Sequence, residues 1–406
     1  MKIPFEVFKI KNFRLFLLGH FLSFLGSWVQ NTAVHWLVYI NTGSSAKLGL
    51  FSLLTTMPGV IFTLFAGSII DRLDRWRLFR SILLFSILPP LFLGIFFSLF
   101  EFNLYIVALL TLIGQILSAA DMPLRQVCIL NIVPPEYLTQ ALSFQALSFH
   151  TSRILGSSLG GYLMSLFSPA VNFWLNALSY LPFIVFLRRI EPENTELCIS
   201  KKRSLKKDFS ELYKFLRQVK LTYFLILQVA VFSFLGVSFP IVLPRLAVEA
   251  FSGKAFEYGL LSSILGCGAM FGALSLGLRA SESQNVCKRV WLTQLLFSLS
   301  LLLIALSQHK VFSILGIFLM GFSFTNFFPI INSSLQRLTP EGLRGRVMSL
   351  FTFAFTGTVP IGQLFSGFLV DILGIKLLSF ALSLSIMVIS SLFYLKTQRL
   401  EKVVYH

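Results

Sequence analysis

Twelve apolar stretches follow one another along this chain, at about 14–40, 46–70, 78–100, 103–132, 137–166, 170–188, 221–247, 257–279, 288–307, 310–335, 343–370 and 373–395. A helix rises ~1.5 Å per residue, so about 20 apolar residues cross the hydrocarbon of a bilayer, and longer stretches can tilt. Only 13% of the 406 residues are charged and the mean hydropathy is +0.80, too little charge to cover a soluble fold of this size. The expectation is an all-α membrane protein of twelve transmembrane helices.

The net charge of +17 raises the question of nucleic acid, but topology accounts for it better. Of the 34 Lys and Arg, Lys47, Arg245, Lys254, Lys310 and Lys376 fall on one side of the membrane and Arg125 and Arg153 fall within spans. All the others fall on the side that holds the N-terminus. This positive-inside bias places both termini in the cytoplasm, and the basic surface then attracts anionic membrane lipid. No nucleic-acid partner is expected.

The clearest break in the chain is at 189–220, with the basic run Lys201-Lys202-Arg203-Ser204-Leu205-Lys206-Lys207 followed by the capping-box pattern Asp208-Phe-Ser-Glu211. Phe209, Leu212, Leu216 and Val219 then recur at helical spacing. They suit a helix lying on the cytoplasmic membrane surface or a solvated linker helix. The expected organisation is a six-helix bundle over 1–190, a linker over 191–220 and a second bundle over 221–406. The halves repeat. Pro135-Glu136-Tyr-Leu138 matches Pro340-Glu341-Gly-Leu343, and Ser143, Gly156 and Gly161 match Ser349, Gly362 and Gly367. Gly49 and Gly67 likewise match Gly259 and Gly277, which argues for a duplicated six-helix unit.

Charge inside the membrane is scarce and therefore informative. The turn after the second span reads Gly67-Ser-Ile-Ile-Asp71-Arg72-Leu-Asp74-Arg75-Trp-Arg77, whereas its repeat counterpart has Ser281 and Glu282 in place of Asp71 and Arg72. Asp121 and Arg125 are i,i+4 partners on the fourth span. Asp121 lies about 18 Å along that helix from Val133, and Arg153 lies about 26 Å beyond Glu136 on the fifth. An arginine at that depth needs a partner or a wet cavity, and His150 shares its face. Ser23, Ser27, Gln30 or Asn31, and His35 form a polar stripe on the first span. Gln228, Asn326, Asn332 and Gln363 are candidates for the opposite wall. The expected substrate-binding set is Gln30, Asn31, His35, His150, Arg153, Gln228, Asn326 and Gln363. Interhelical hydrogen bonding is the competing explanation for the polar residues.

Gly156-Ser-Ser-Leu-Gly160 matches the nucleophile elbow of serine hydrolases, which requires a strand–turn–helix. Inside a spanning helix the same residues serve close helix packing, and no enzyme is expected. No metal-ligand motif and no phosphate-binding glycine loop is present, so neither metal nor cofactor is expected.

The Gly-x-x-x-Asp-Arg-x-x-Arg pattern of Gly67–Arg75 resembles the signature loop of the major facilitator superfamily. Asn12-Phe-Arg14, Ser23-Phe-Leu-Gly26-Ser27-Trp28, Asp121-x-Pro-x-Arg125, Arg153 and Thr339-Pro-Glu-Gly-Leu-Arg344-Gly-Arg346 extend the likeness to the drug:proton antiporter branch, which includes enterobactin and macrolide exporters. The glycine run after Arg153 is similar to the antiporter motif of that branch, with Ser157 in place of its proline. The resemblance implies parallel six-helix repeats with substrate between them at the midplane. It also implies a cytoplasmic latch, in which Asp71 docks at the start of the eleventh span and Arg75 pairs with Asp121. Gly67, Arg72, Asp74, Arg344 and Arg346 complete the gating set. It further implies a monomeric exporter of a hydrophobic drug or siderophore in the bacterial inner membrane, driven by protons, with His35, His150 or Asp121 as the coupling residue. A lipid or lysophospholipid flippase, or a siderophore importer, are the alternatives on the same fold.

Overall fold

The computed structural model describes residues 6–70, 74–190, 205–251, 253–278 and 285–405, and these are helical almost throughout. Asp71 and Arg72 of the signature loop, their counterparts Ser281 and Glu282, and linker residues 191–204 lie outside the described residues.

The helices are α1 (Lys11–Thr42), α2 (Ser45–Ile70), α3 (Arg75–Phe85), α4 (Leu88–Leu99), α5 (Leu104–Leu130), α6 (Leu138–Leu166), α7 (Ala170–Arg189) and α8 (Leu205–Gln218). They continue as α9 (Lys220–Phe232), α10 (Leu243–Ala250), α11 (Ala255–Leu278), α12 (Val286–Ala305), α13 (Lys310–Leu338), α14 (Glu341–Thr356) and α15 (Thr358–Tyr405). Counted across their breaks they make twelve membrane-length passages, six on each side of α8.

Each break has a local cause. The third passage divides between α3 and α4 because Pro89 and Pro90 open α4 and supply no amide to the preceding turn. The seventh passage widens to a π-type turn over Ser233–Val237 and tightens over Phe239–Val242, where Pro240 lacks its N–H. The last two passages meet at Gly374, whose φ of 78° suits glycine. Side-chain caps start others: Asp74 accepts from the amides of Trp76 and Arg77, and Asn103 from those of Tyr105 and Ile106.

Nine stretches among the described residues are long and apolar enough to cross a membrane on composition alone, and the last of these, Glu341–Glu401, contains two passages. The passages missing from that set are α1 and α6. Both carry a polar face, and those faces line the cavities described below. Large apolar side chains such as Leu99, Tyr105, Leu178 and Val311 are exposed, as expected of surfaces that meet lipid.

The chain forms two compact units. The first comprises Met1–Gly43, Leu54–Ser200 and Ala247–Ser263; the second comprises Ser44–Leu53, Lys201–Leu246 and Ile264–His406. In the first, α1 packs along α6 and α7, and Phe13, Phe16, Phe79, Leu124 and Phe183 build a dry core at one end. In the second, α12 packs along α13 and α15, and α8 lies on α9 and α14 with Leu212 and Phe215 buried.

The glycines matched by the repeat occupy matching crossings. In the first unit a Cβ on Gly161 would lie 2.6 Å from the Ala255 carbonyl, and one on Gly259 2.6 Å from that of Ser157. In the second, a Cβ on Gly49 would lie 2.6 Å from the Gln363 carbonyl, and one on Gly367 would run into that of Ser45. Gly156 abuts the Leu25 carbonyl of α1, and its counterpart Gly362 abuts that of Phe234. The duplication in sequence is therefore a duplication in packing.

Candidate functional site

The functional candidates of the first unit converge on the seam between α1, α5 and α6. The seam is tight because small residues allow it: a Cβ on Gly156 would come within 2.7 Å of Trp28 Cβ, and one on Gly160 within 2.8 Å of the Val29 carbonyl. Gly156–Gly160 is helical throughout, so the hydrolase-like pattern is a packing stripe. Close approach of α6 to α1 brings Phe149 and Arg153 against Phe24 and Trp28.

Arg125 is the most enclosed charge among the described residues. Its Nε donates to Asp121 Oδ2 at 2.8 Å, and its Nη1 donates to Ser23 Oγ of α1 at 2.9 Å. The guanidinium also stacks on Phe24 at 4.5 Å and Phe183 at 4.9 Å. The side chains of Arg125 and Asp121 are only 3% and 10% exposed, so each charge offsets the cost of burying the other. Asp121 Oδ1 is buried and has no hydrogen-bond partner among the described residues.

Arg153, about one turn beyond Phe149 on α6, is held differently. Its guanidinium rests 5.0 Å over the ring of Trp28, and among the described residues it forms neither a hydrogen bond nor an ion pair. His150 has a buried Nδ1 that no hydrogen-bond partner meets among the described residues. A cavity of about 490 Å³ is lined by Arg125, Gln126, Gln145, Phe149, His150 and His20, among others. Sequence reading missed His20, which is buried and 3.3 Å from Ser148 Oγ through Nδ1. The signal was present, because His20 precedes Ser23 by three residues and extends the polar stripe of α1 by one turn. A second cavity of about 190 Å³ is lined by Ser27, Gln30, Asn31, Gln115, Ser118 and Tyr180, among others. His35 lines neither cavity, and its Nδ1 lies 3.0 Å from the Asn31 carbonyl oxygen.

The polar candidates of the second unit bond to their neighbours. Gln228 Nε2 donates to Gln294 Oε1 at 2.6 Å, and Asn326 Nδ2 donates to the carbonyls of Phe322 and Gly272. Gln363 Oε1 accepts from Ser52 Oγ at 2.6 Å, and Asn332 Oδ1 accepts from Gln336. Of the gating candidates, Gly67 lies in α2, and Asp74 caps α3 while pairing with Arg77 at 3.2 Å. Arg75 begins α3, Arg344 is exposed on α14, and Arg346 pairs with Glu211 of α8 at 2.6 Å.

Twelve passages in two packed repeats define a polytopic membrane protein of the major facilitator fold. Among solved structures, a POT family transporter in complex with 5-aminolevulinic acid superposes with a TM-score of 0.78 over 96% of both chains, at 12% identity, which is a likeness of fold. The family model described as transmembrane secretion effector matches residues 3–403, and the chain belongs to that family, within the major facilitator superfamily. The staphyloferrin A transporter of Staphylococcus aureus is 24% identical over 96% of this chain and 97% of its own. Macrolide efflux protein A of Streptococcus pyogenes is 24% identical over 88% and 89%.

Proposed function

We propose that this protein is a secondary active transporter of the bacterial cytoplasmic membrane that exports an amphipathic organic anion, siderophore-like or drug-like, by alternating access coupled to protons. It works as a monomer with both termini in the cytoplasm. The observation that carries the substrate class is Arg153. A guanidinium cannot shed its charge, and one that meets no acid or hydrogen-bond acceptor among the described residues calls for an anionic partner in a membrane interior. Trp28 beneath it favours a ligand with an aromatic or apolar body. The relatives support the direction and the kind of cargo, since one transports a siderophore and another expels a macrolide.

In this reading His150, Gln30 and Asn31 face the cargo near Arg153. Coupling falls to His35, His150 or Asp121, with a histidine favoured because imidazole changes charge near neutral pH unaided. The signature loop acts as a latch on the cytoplasmic side, with Asp71 and Arg75 holding and releasing that face. The test is flux in reconstituted vesicles. Substrate movement that tracks an imposed pH gradient is expected, and flux indifferent to the gradient removes proton coupling. Arg153→Ala and Arg153→Lys should each lose binding of anionic substrates. Parental binding and transport in both variants would make Arg153 structural and remove the anionic-substrate reading.

A further inference from the structure

The two cavities of the first unit share a wall but differ in chemistry. The larger is faced by Arg125, His20 and His150. The smaller, about 190 Å³, is lined by no Asp, Glu, Lys, Arg or His. Phe149 lines both and stands edge-on to Phe24 at 5.0 Å and to Trp28 at 6.0 Å, so three aromatic rings form the partition. Each end of this ladder carries an arginine, with Arg125 over Phe24 and Arg153 over Trp28.

The smaller cavity is lined by hydrogen-bonding groups that the chain leaves unused. Among the described residues, the side-chain amides of Asn31 and Gln115 and the hydroxyls of Thr111 and Ser118 form no hydrogen bond. Thr111 Oγ1 is shut away from solvent as well. Gln30 uses only Oε1, which accepts from Asn176 Nδ2 at 2.7 Å. An enclosed polar group of a native protein nearly always finds a partner, so the unpaired Thr111 Oγ1, with the open amides of Asn31 and Gln115 lining the same space, points to an occupant. The volume corresponds to about six waters at ~30 Å³ each, enough for one sugar-sized group. With no charge on the wall, an ionised group would be poorly held there. An aromatic floor with neutral donors and acceptors above it suits a group that has an apolar face and hydroxyl edges.

We propose that this cavity is a ligand subsite for an uncharged, polyhydroxylated, sugar-sized group of the transported molecule, with Trp28 and Phe149 as its floor and Asn31 and Gln115 as its recognition amides. The anionic end of the same molecule sits at Arg153. That second half rests on the reading of Arg153 given above, and the subsite itself does not.

The test is binding to the purified protein in lipid nanodiscs, free of sugar detergents, with three probes: 4-carboxyphenyl β-D-glucopyranoside, phenyl β-D-glucopyranoside and 4-methoxybenzoate. Gly114→Leu fills the cavity, and a Cβ there meets only Pro89 Cβ, at 3.8 Å. Gln115→Leu removes an amide without filling it. Both variants should weaken the two glucosides about tenfold or more, the scale of losing a buried hydrogen-bonded contact, and leave 4-methoxybenzoate within about twofold. Unchanged methoxybenzoate binding also reports that the variants are folded. Arg153→Ala should do the converse, weakening both carboxylates and sparing phenyl glucoside. Glucosides that bind the parent unsaturably, or equally in parent, Gly114→Leu and Gln115→Leu, overturn the subsite. Carboxylates that bind Arg153→Ala as they bind the parent sink the anionic reading and leave the subsite standing.

Discussion

Replacing Asp121 by leucine should destabilise the first unit far more than replacing Asp121 and Arg125 together. The pair is joined at 2.8 Å with side chains 10% and 3% exposed, so the guanidinium has almost no route to water. Removing one partner of a buried pair costs about 3–5 kcal/mol, because the remaining charge is stranded. Two features bring Asp121→Leu towards the lower end, about 3 kcal/mol: Ser23 still accepts from Nη1, and Phe24 and Phe183 still stack on the cation, each worth about 0.5–2 kcal/mol. Arg125→Met should cost less than Asp121→Leu, since a stranded carboxyl can take up a proton and a stranded guanidinium cannot release one. The double variant removes both charges and should lie within about 1 kcal/mol of the parent, giving a coupling of several kcal/mol in a double-mutant cycle. Unfolding of purified protein in detergent, followed by intrinsic fluorescence against denaturant, measures all four corners. If Asp121→Leu unfolds with the parent, or the two single costs simply add, the pair is not the desolvated unit described here.

Gly161→Leu and Gly259→Leu should each cost about 1–3 kcal/mol and abolish transport, because their Cβ positions lie 2.6 Å from backbone carbonyls across the crossing. Gly342→Ala, with nothing within 4 Å of its Cβ, should unfold like the parent. Asp371 accepts from Ser44 Oγ at 2.6 Å, the amides of Ser45 and Ala46, and Arg245 Nη1 at 3.0 Å. Asp371→Ala should therefore uncap α2 at a cost of about 1 kcal/mol and speed thiol labelling of a Ser44→Cys background, and unchanged labelling would refute the cap. Asp71→Asn should cripple transport while the protein stays in the membrane, with faster labelling of cysteines introduced near Arg344. Normal transport with normal labelling counts against the latch.

Most of the architecture was legible in the order of residues. Hydrophobic length is a one-dimensional property, and a bilayer converts it directly into a helix, so the twelve passages and the repeat followed from counting. The cost of a charge in lipid singled out Asp121, Arg125 and Arg153 in the same way. Breaks within passages were less legible: the division before Pro89 falls inside one apolar run and is set by a missing amide.

What a polar side chain faces is decided by neighbouring helices, and there the sequence is silent. Gln228, Asn326 and Asn31 look alike as isolated polar residues in apolar runs. Packing gives the first a glutamine partner and the second two carbonyls, and it leaves the amide of Asn31 open to a cavity. His35 and His20 sit on the same helix, yet only His20 reaches the chamber of Arg125, because α6 lies against that turn. The glycines at 156, 160 and 161 were visible as a stripe. That the stripe draws α6 onto α1 until Phe149 spans Phe24 and Trp28, and Arg153 settles over indole instead of an acid, depends on atoms far apart in the chain meeting at a few ångströms. Only the tertiary structure could decide that.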